Sequence, residues 1–268
     1  METSVQPNAT PRRAFAVARG VVLDAGYAVW RHAASLAHGS ITEPRVHAPK
    51  AAAARPLAAR ADVADSPAAE AGPARPPAAK ADVVLIPGIY EPAGFMDPLR
   101  RWLQRRGHRV IVLPELGYNR RSIPECAALA AARLRELGVR NAVVVAHSKG
   151  GLIGKLLMTA PDTERLVSRM LAVGTPFEGT RYSRYAPTRP LRSFYPEHPV
   201  MGLLAKNLEV NSRIVSVGAD VDPLVGRSTG LVGARNIILP VTGHFRILED
   251  PGLFEAVDDF LRAGEQAG

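Results

Sequence analysis

A single cysteine, Cys126, stands among 268 residues, so no internal disulfide can form and no thiolate metal site can be assembled. It lies in an alanine-rich helical stretch and reads as a small buried apolar residue. Acidic residues are also short: 25 Asp and Glu against 34 Lys and Arg leave a formal charge of +9. The excess does not amount to a nucleic-acid site, because the arginines are scattered and neither aromatic–basic interleaving nor a helix-turn-helix pattern accompanies them. No nucleic-acid partner is expected; an anionic membrane surface, an acidic substrate or a merely solvated basic surface stay open. His, Asp and Glu nowhere gather at ligand spacing, so neither a metal nor a cofactor is expected. An uninterrupted membrane-spanning run is missing too. The longest apolar stretch, 14–36, is broken by Arg19, Asp24 and Arg31, each costing ~2.5–3.5 kcal/mol at mid-bilayer.

Three regions follow from composition. Residues 1–37 form an N-terminal helical segment, with Phe15, Ala18, Val22, Ala25 and Val29 near one face that would dock on the main domain or on a membrane surface. Arg12-Arg13 ahead of the apolar stretch also resembles a twin-arginine signal, although the interrupting charges make a poor apolar core for one. Residues 38–80 are mostly Ala, Pro, Arg and Asp; they cannot bury enough apolar area to offset their ordering entropy and read as a linker. Residues 81–268 form the folded domain, with a short cap insertion at 177–199. The expected location is cytoplasmic or membrane-peripheral.

Within the domain, strands are predicted at 82–86, 108–113, up to the serine at 148, 170–173, 213–217 and 236–239. Helices are predicted at 99–106, 124–137, after Ser148 to 158, up to 208, and at 253–261. This alternation predicts an α/β fold, a mostly parallel central sheet with helices on both faces and a site at the carboxyl ends of the strands.

The centre of the domain is Val143-Val144-Val145-Ala146-His147-Ser148-Lys149-Gly150-Gly151. A β-branched run ends at a serine flanked by tiny residues and a helix-compatible pattern follows at once, which is a nucleophile elbow. Ala146 and Gly150 supply the small neighbours that let strand and helix approach. Serine needs a base and an acid that orients the base. Downstream of Ser148 only His198 and His244 are available, and His244 follows the last strand directly. His147 is expected to point away from the nucleophile. The acid must end the penultimate strand, where both Asp220 and Asp222 qualify; Asp222 is preferred because it lies further out along the loop. Two backbone amides should face the developing oxyanion, those of Lys149 and of Ile89 in the Pro87-Gly88 turn. Tyr90, Phe177 and Tyr182 are expected to touch substrate.

Pro87-Gly88-Ile89, Ala146-His147-Ser148-Lys149-Gly150-Gly151, Gly174-Thr175-Pro176, Asp222-Pro223-Leu224-Val225 and Gly243-His244 together resemble bacterial α/β-hydrolases of the triacylglycerol lipase and esterase group, over about 82–261. The resemblance implies the α/β-hydrolase fold and ester hydrolysis through an acyl-enzyme, with Ser148, Asp222 and His244 as triad, Ile89 and Lys149 as oxyanion donors, and an acyl-ester or lipid as substrate. Two positions depart from that group. Pro87 stands where histidine is common, which leaves the bracing of the oxyanion loop open. Lys149 replaces the hydrophobic residue often found after the serine, so its cation would either favour anionic or polar acyl substrates or reach solvent. In the cap, Tyr182, Tyr185, Phe194 and Tyr195 alternate with arginines, as would suit an acyl chain and an anionic head group, or simply a solvated loop. The same triad would serve thioester hydrolysis or acyl transfer, and a silent hydrolase-fold binding protein is the third alternative.

Overall fold

A computed structural model describes residues 11–37, 80–163, 165–226 and 229–265. The expected linker lies outside them except for Lys80, and so does the side chain of Tyr182. The six strands β1 (Val83–Ile86), β2 (Val110–Val112), β3 (Ala142–His147), β4 (Val167–Val173), β5 (Ile214–Val221) and β6 (Arg235–Thr242) all run parallel, in the order β2-β1-β3-β4-β5-β6. The chain builds outward from β1 on one side and returns to build outward on the other, so the order reverses between β1 and β3. That switch point opens a crevice at the strands' carboxyl ends.

Alternate side chains of each strand feed two separate cores. Val84, Ile86, Ile111, Val144 and Ala146 face α3 (Ile123–Glu136), α4 (Lys149–Thr159) and α6 (Pro199–Lys206). Val83, Leu85, Val110, Val143 and Val145 face α2 (Asp97–Arg105) and α7 (Pro251–Glu265). Burial of each such side chain contributes about 1.5–3 kcal/mol. Helix starts match their sequence signals: Ser122 and Glu125 close a capping box on α3. Cys126 is fully buried and donates to Asn119 Oδ1. Strands β5 and β6 run further than predicted, to Val221 and Thr242. Gly218 and Ala219 dilute the apolar signal, yet ladder pairing with Ile238 and Leu239 holds them. Pro240 is tolerated because β6 is an edge strand.

Helix α1 (Pro11–Ala37) does not turn the expected apolar face towards the domain, which overturns that half of the expectation. Phe15, Val22 and Val29 are 71–74% exposed, and Leu23 and Trp30 are exposed beside them. The helix meets the domain through Gly20, Asp24 and Arg31, which recur at roughly helical spacing and are buried. Two of the three charges that interrupt the apolar run, Asp24 and Arg31, are therefore contacts, while Arg19 is exposed. No helix among the described residues is long and apolar enough to cross a membrane.

Candidate active site

The turn after β3 forces Ser148 to φ 50°, a left-handed conformation that costs energy in a residue with a side chain. Its amide donates to Val173 O at 2.8 Å, and Thr175 Oγ1 donates to Ser148 O at 2.9 Å. A Cβ on Gly150 would collide with the carbonyl oxygens of Ile86 and Pro87, and one on Gly151 with Thr175. These glycines let α4 cross β1 at backbone contact distance.

Register brings the other groups together. Ile86 pairs with Ala146, so the Pro87–Tyr90 turn and the elbow leave neighbouring strands at the same level. Val221 pairs with Thr242, so Asp222 and His244 do likewise. Asp222 Oδ2 lies 2.7 Å from His244 Nδ1, and Oδ1 accepts the amides of Leu224 and Val225 at 2.9 Å each. Burial raises the Asp222 carboxyl, but the hydrogen bond and charge of His244 and the two amides outweigh it and hold the group below its ordinary value. Asp220 is exposed, so of the two candidate acids only Asp222 meets the imidazole. His198 caps α6 and stands outside this cluster.

Ser148, His244 and Ile89 line one cavity of about 250 Å³ with an apolar wall that includes Leu191, Phe194, Leu224 and Val225. Lys149 opens α4, where first-turn amides have no intrahelical acceptor. Its side chain overturns both expectations. It is fully buried, and Nζ donates to the carbonyl oxygens of Asn119 (2.7 Å) and Arg121, with Cys126 Sγ 3.8 Å away. Burial lowers the ammonium's pKa, with Cys126 and Glu125 opposing. The lysine thus neither meets an acyl group nor reaches water; it fastens the 119–121 loop under the elbow.

Two of the expected substrate contacts stand elsewhere. Phe177 is buried in the α3/α4 core, and Tyr90 Oη pairs with Thr188 Oγ1 at 2.7 Å, tying the Pro87–Tyr90 turn to the 177–199 segment. In the cap, Phe194 turns inward to the cavity while Tyr185 is 74% exposed, and Arg181, Arg184, Arg189 and Arg192 are exposed.

Sequence reasoning missed the carboxylate that braces the turn. Glu91, 1% exposed, accepts from Gly88 N at 2.6 Å, and Asn119 Nδ2 donates to Pro87 O at 2.7 Å. These bonds brace the turn without a histidine before Gly88. Glu91 also meets His147 Nδ1 at 2.8 Å, while His147 Nε2 lies 3.0 Å from His244 O. Both ring nitrogens face acceptors, which suits the doubly protonated ring. Burial lowers the His147 pKa, but the charge and hydrogen bond of Glu91 outweigh it and raise the pKa overall. An acid three residues after the Pro87-Gly88 turn is the sequence signal that could have pointed to Glu91. Among the described residues no His, Cys, Asp and Glu side chains gather into a metal-holding group.

No family model and no curated sequence matches the chain. Solved structures do. The mature form of the lipase BlEst2 of Bacillus licheniformis superposes with a TM-score of 0.59 at 16% identity, covering 70% of this chain and 94% of that one. MGS-MChE2, an α/β hydrolase enzyme from a lagoon-sediment metagenome, gives 0.52 at 15% identity, covering 69% and 92%. A bromoperoxidase of Bacillus anthracis gives 0.51 at 13%, covering 69% and 92%. A lipase and a bromoperoxidase among these neighbours show that the architecture alone does not select a reaction. The fold this chain shares with them is the α/β-hydrolase fold, built here on a six-stranded parallel sheet.

Proposed function

We propose that the chain is a serine hydrolase that cleaves carboxylic esters through an acyl-enzyme. Ser148 is the nucleophile, His244 the base and Asp222 the acid that orients it. The observation carrying this reading is the 2.7 Å bond between Asp222 and His244, the latter lining the same cavity as Ser148. In the first half-reaction Ser148 Oγ attacks the acyl carbonyl while His244 Nε2 takes the hydroxyl proton. Asp222 holds Nδ1–H and stabilises the imidazolium. The amides of Ile89 and Lys149 receive the oxyanion. His244 then returns the proton to the leaving alcohol, and water repeats the sequence to free the acid.

A volume of about 250 Å³ is below the roughly 300–1,000 Å³ of sites that enclose drug-sized ligands, which favours short acyl chains. A fluorophosphonate should label Ser148 at neutral pH, and aryl esters should be turned over fastest at short chain length. An intact protein left unlabelled would instead be a silent binding protein; turnover of acyl-thioesters alone would replace the ester by a thioester.

The outward row of α1 supports peripheral contact with an anionic lipid surface. Phe15, Val22, Leu23, Val29 and Trp30 are exposed on it, with the exposed Arg19 among them, on a chain of net charge +9. Flotation with phosphatidylglycerol vesicles but not phosphatidylcholine vesicles, abolished by serine at 15, 22 and 29, is the expected result; equal behaviour of both proteins would refute it.

A further inference from the structure

Asp24 sits in the middle of α1, 3% exposed, and its carboxylate leaves its own helix entirely. Oδ2 accepts the amide of His244 at 2.9 Å, and Oδ1 accepts the amides of Phe245 and Arg246 at 2.8 Å each. These three donors open the short helical turn Arg246–Glu249, where backbone N–H groups lack local acceptors and a carboxylate is favoured. Charge-assisted bonds of this kind are about twice as strong as neutral ones.

The surroundings are shaped for this contact. Gly243 has φ 131°, and a Cβ there would strike Asp24 Oδ1. Gly20, one turn before Asp24, costs α1 about 1 kcal/mol relative to alanine, and a Cβ on it would come within 2.6 Å of Thr242. Two glycines therefore admit the helix and its carboxylate on either side of the β6 terminus. The same helix holds the opposite loop: Arg31 donates to the carbonyls of Gly94 and Phe95, and His32 Nε2 lies 2.9 Å from Tyr90 O. From the other side His147 meets His244 O and, through Glu91, the Gly88 amide. The main chain of His244 is thus fixed at its nitrogen by Asp24 and at its oxygen by His147.

We propose that Asp24 is a positioning residue of the catalytic centre, setting the backbone from which the His244 ring reaches Asp222 and Ser148. This rests on the triad reading above. Asp24 touches no reacting atom; it acts through three main-chain amides. Loss of the carboxylate frees the loop to shift by a fraction of an ångström, and misplacement on the 1 Å scale costs about a hundredfold in rate.

The test uses the full chain with Asp24→Asn, which keeps the shape, and Asp24→Ala. Two readouts are taken. The first is ester turnover per fluorophosphonate-titrated site. The second is the low-field proton resonance of the His244 Nδ1–H bond to Asp222, which needs no substrate. Expected are a fall in kcat of about 10- to 100-fold with KM within about twofold, and loss or broadening of the low-field resonance in a chain that still melts cooperatively. Unchanged kcat and resonance in Asp24→Ala would overturn the proposal. So would a loss of activity that merely follows the unfolded fraction, each titrated site turning over as in the wild type. If the wild type hydrolyses no ester and takes no label, the functional reading fails, and the resonance still decides whether Asp24 sets His244.

Discussion

Replacing Lys155 by methionine should stabilise the protein, by an amount that depends on pH. Lys155 lies in α4 behind the elbow, 2% exposed, and burial pushes its ammonium from 10.5 down to about 8. A displacement of about 2.5 units at 1.36 kcal/mol per unit sets a ceiling of roughly 3 kcal/mol on the cost of keeping the charge. Water reaching the amine end brings the expected figure to about 1–3 kcal/mol. Among the described residues the compensating contact is the Phe177 ring, whose centroid is 6.0 Å from Nζ. At that outer limit a cation–π interaction returns no more than about 0.5–1 kcal/mol, so burial wins. Methionine keeps the apolar stem and drops the charge. The sign follows from linkage. The folded pKa is depressed, so the penalty is complete below pH 8 and fades as pH rises towards 10.5, where the unfolded chain also loses the proton. Urea unfolding at about pH 7 should give Lys155→Met the higher midpoint at equal slope, and at about pH 10.5 the two proteins should nearly coincide. A variant less stable at pH 7, or a gap independent of pH, would refute the argument.

Three further outcomes are expected. Asp222→Ala should lower kcat by about 10³- to 10⁴-fold while Asp220→Ala stays within about twofold, measured by ester hydrolysis, since only Asp222 meets His244. Gly150→Ala should cost about 1–3 kcal/mol in denaturant unfolding and abolish rapid fluorophosphonate labelling, because its Cβ meets main-chain oxygen rather than a side chain able to yield. The third concerns His147, whose pKa is raised. Its pairing with Glu91 contributes fully below about pH 6.5, and that contribution is lost as pH climbs through the raised folded value. Glu91→Gln should therefore fall furthest below the wild type in melting temperature near pH 6 and approach it in alkali; a gap that widened with pH would contradict the pairing.

The parts of the site legible in the sequence are those that sit at strand ends. Ser148 follows β3 directly, and Asp222 and His244 follow β5 and β6 within two residues, so placing the strands placed the side chains. The order of strands and their register, which make these ends neighbours, left no trace in composition but obey the general rules for parallel sheets. What stayed hidden depends on contacts distant along the chain. Lys149 read as a cation beside the site or in solvent because nothing local shows that Asn119, at φ 52°, turns its carbonyl towards Nζ. Phe15, Val22 and Val29 looked like a docking face because hydrophobicity was the only guide, whereas the partners of Asp24 lie some 220 residues away. A charge in an otherwise apolar helix carried that information, but its sequence meaning was ambiguous between defect and contact.

The distance between Asp24 and its amide partners orders events at the ribosome. At about 5–20 residues per second, the stretch separating them takes on the order of 10–40 s to synthesise. Through that interval Arg31 and His32 can already meet residues 90–95, but Asp24 has no amides to accept, because residues 243–246 do not yet exist. Closure of this longest loop therefore comes late in assembly, after the central strands have had time to pair, and a growing polypeptide carries Ser148 well before Asp222 and His244 are added.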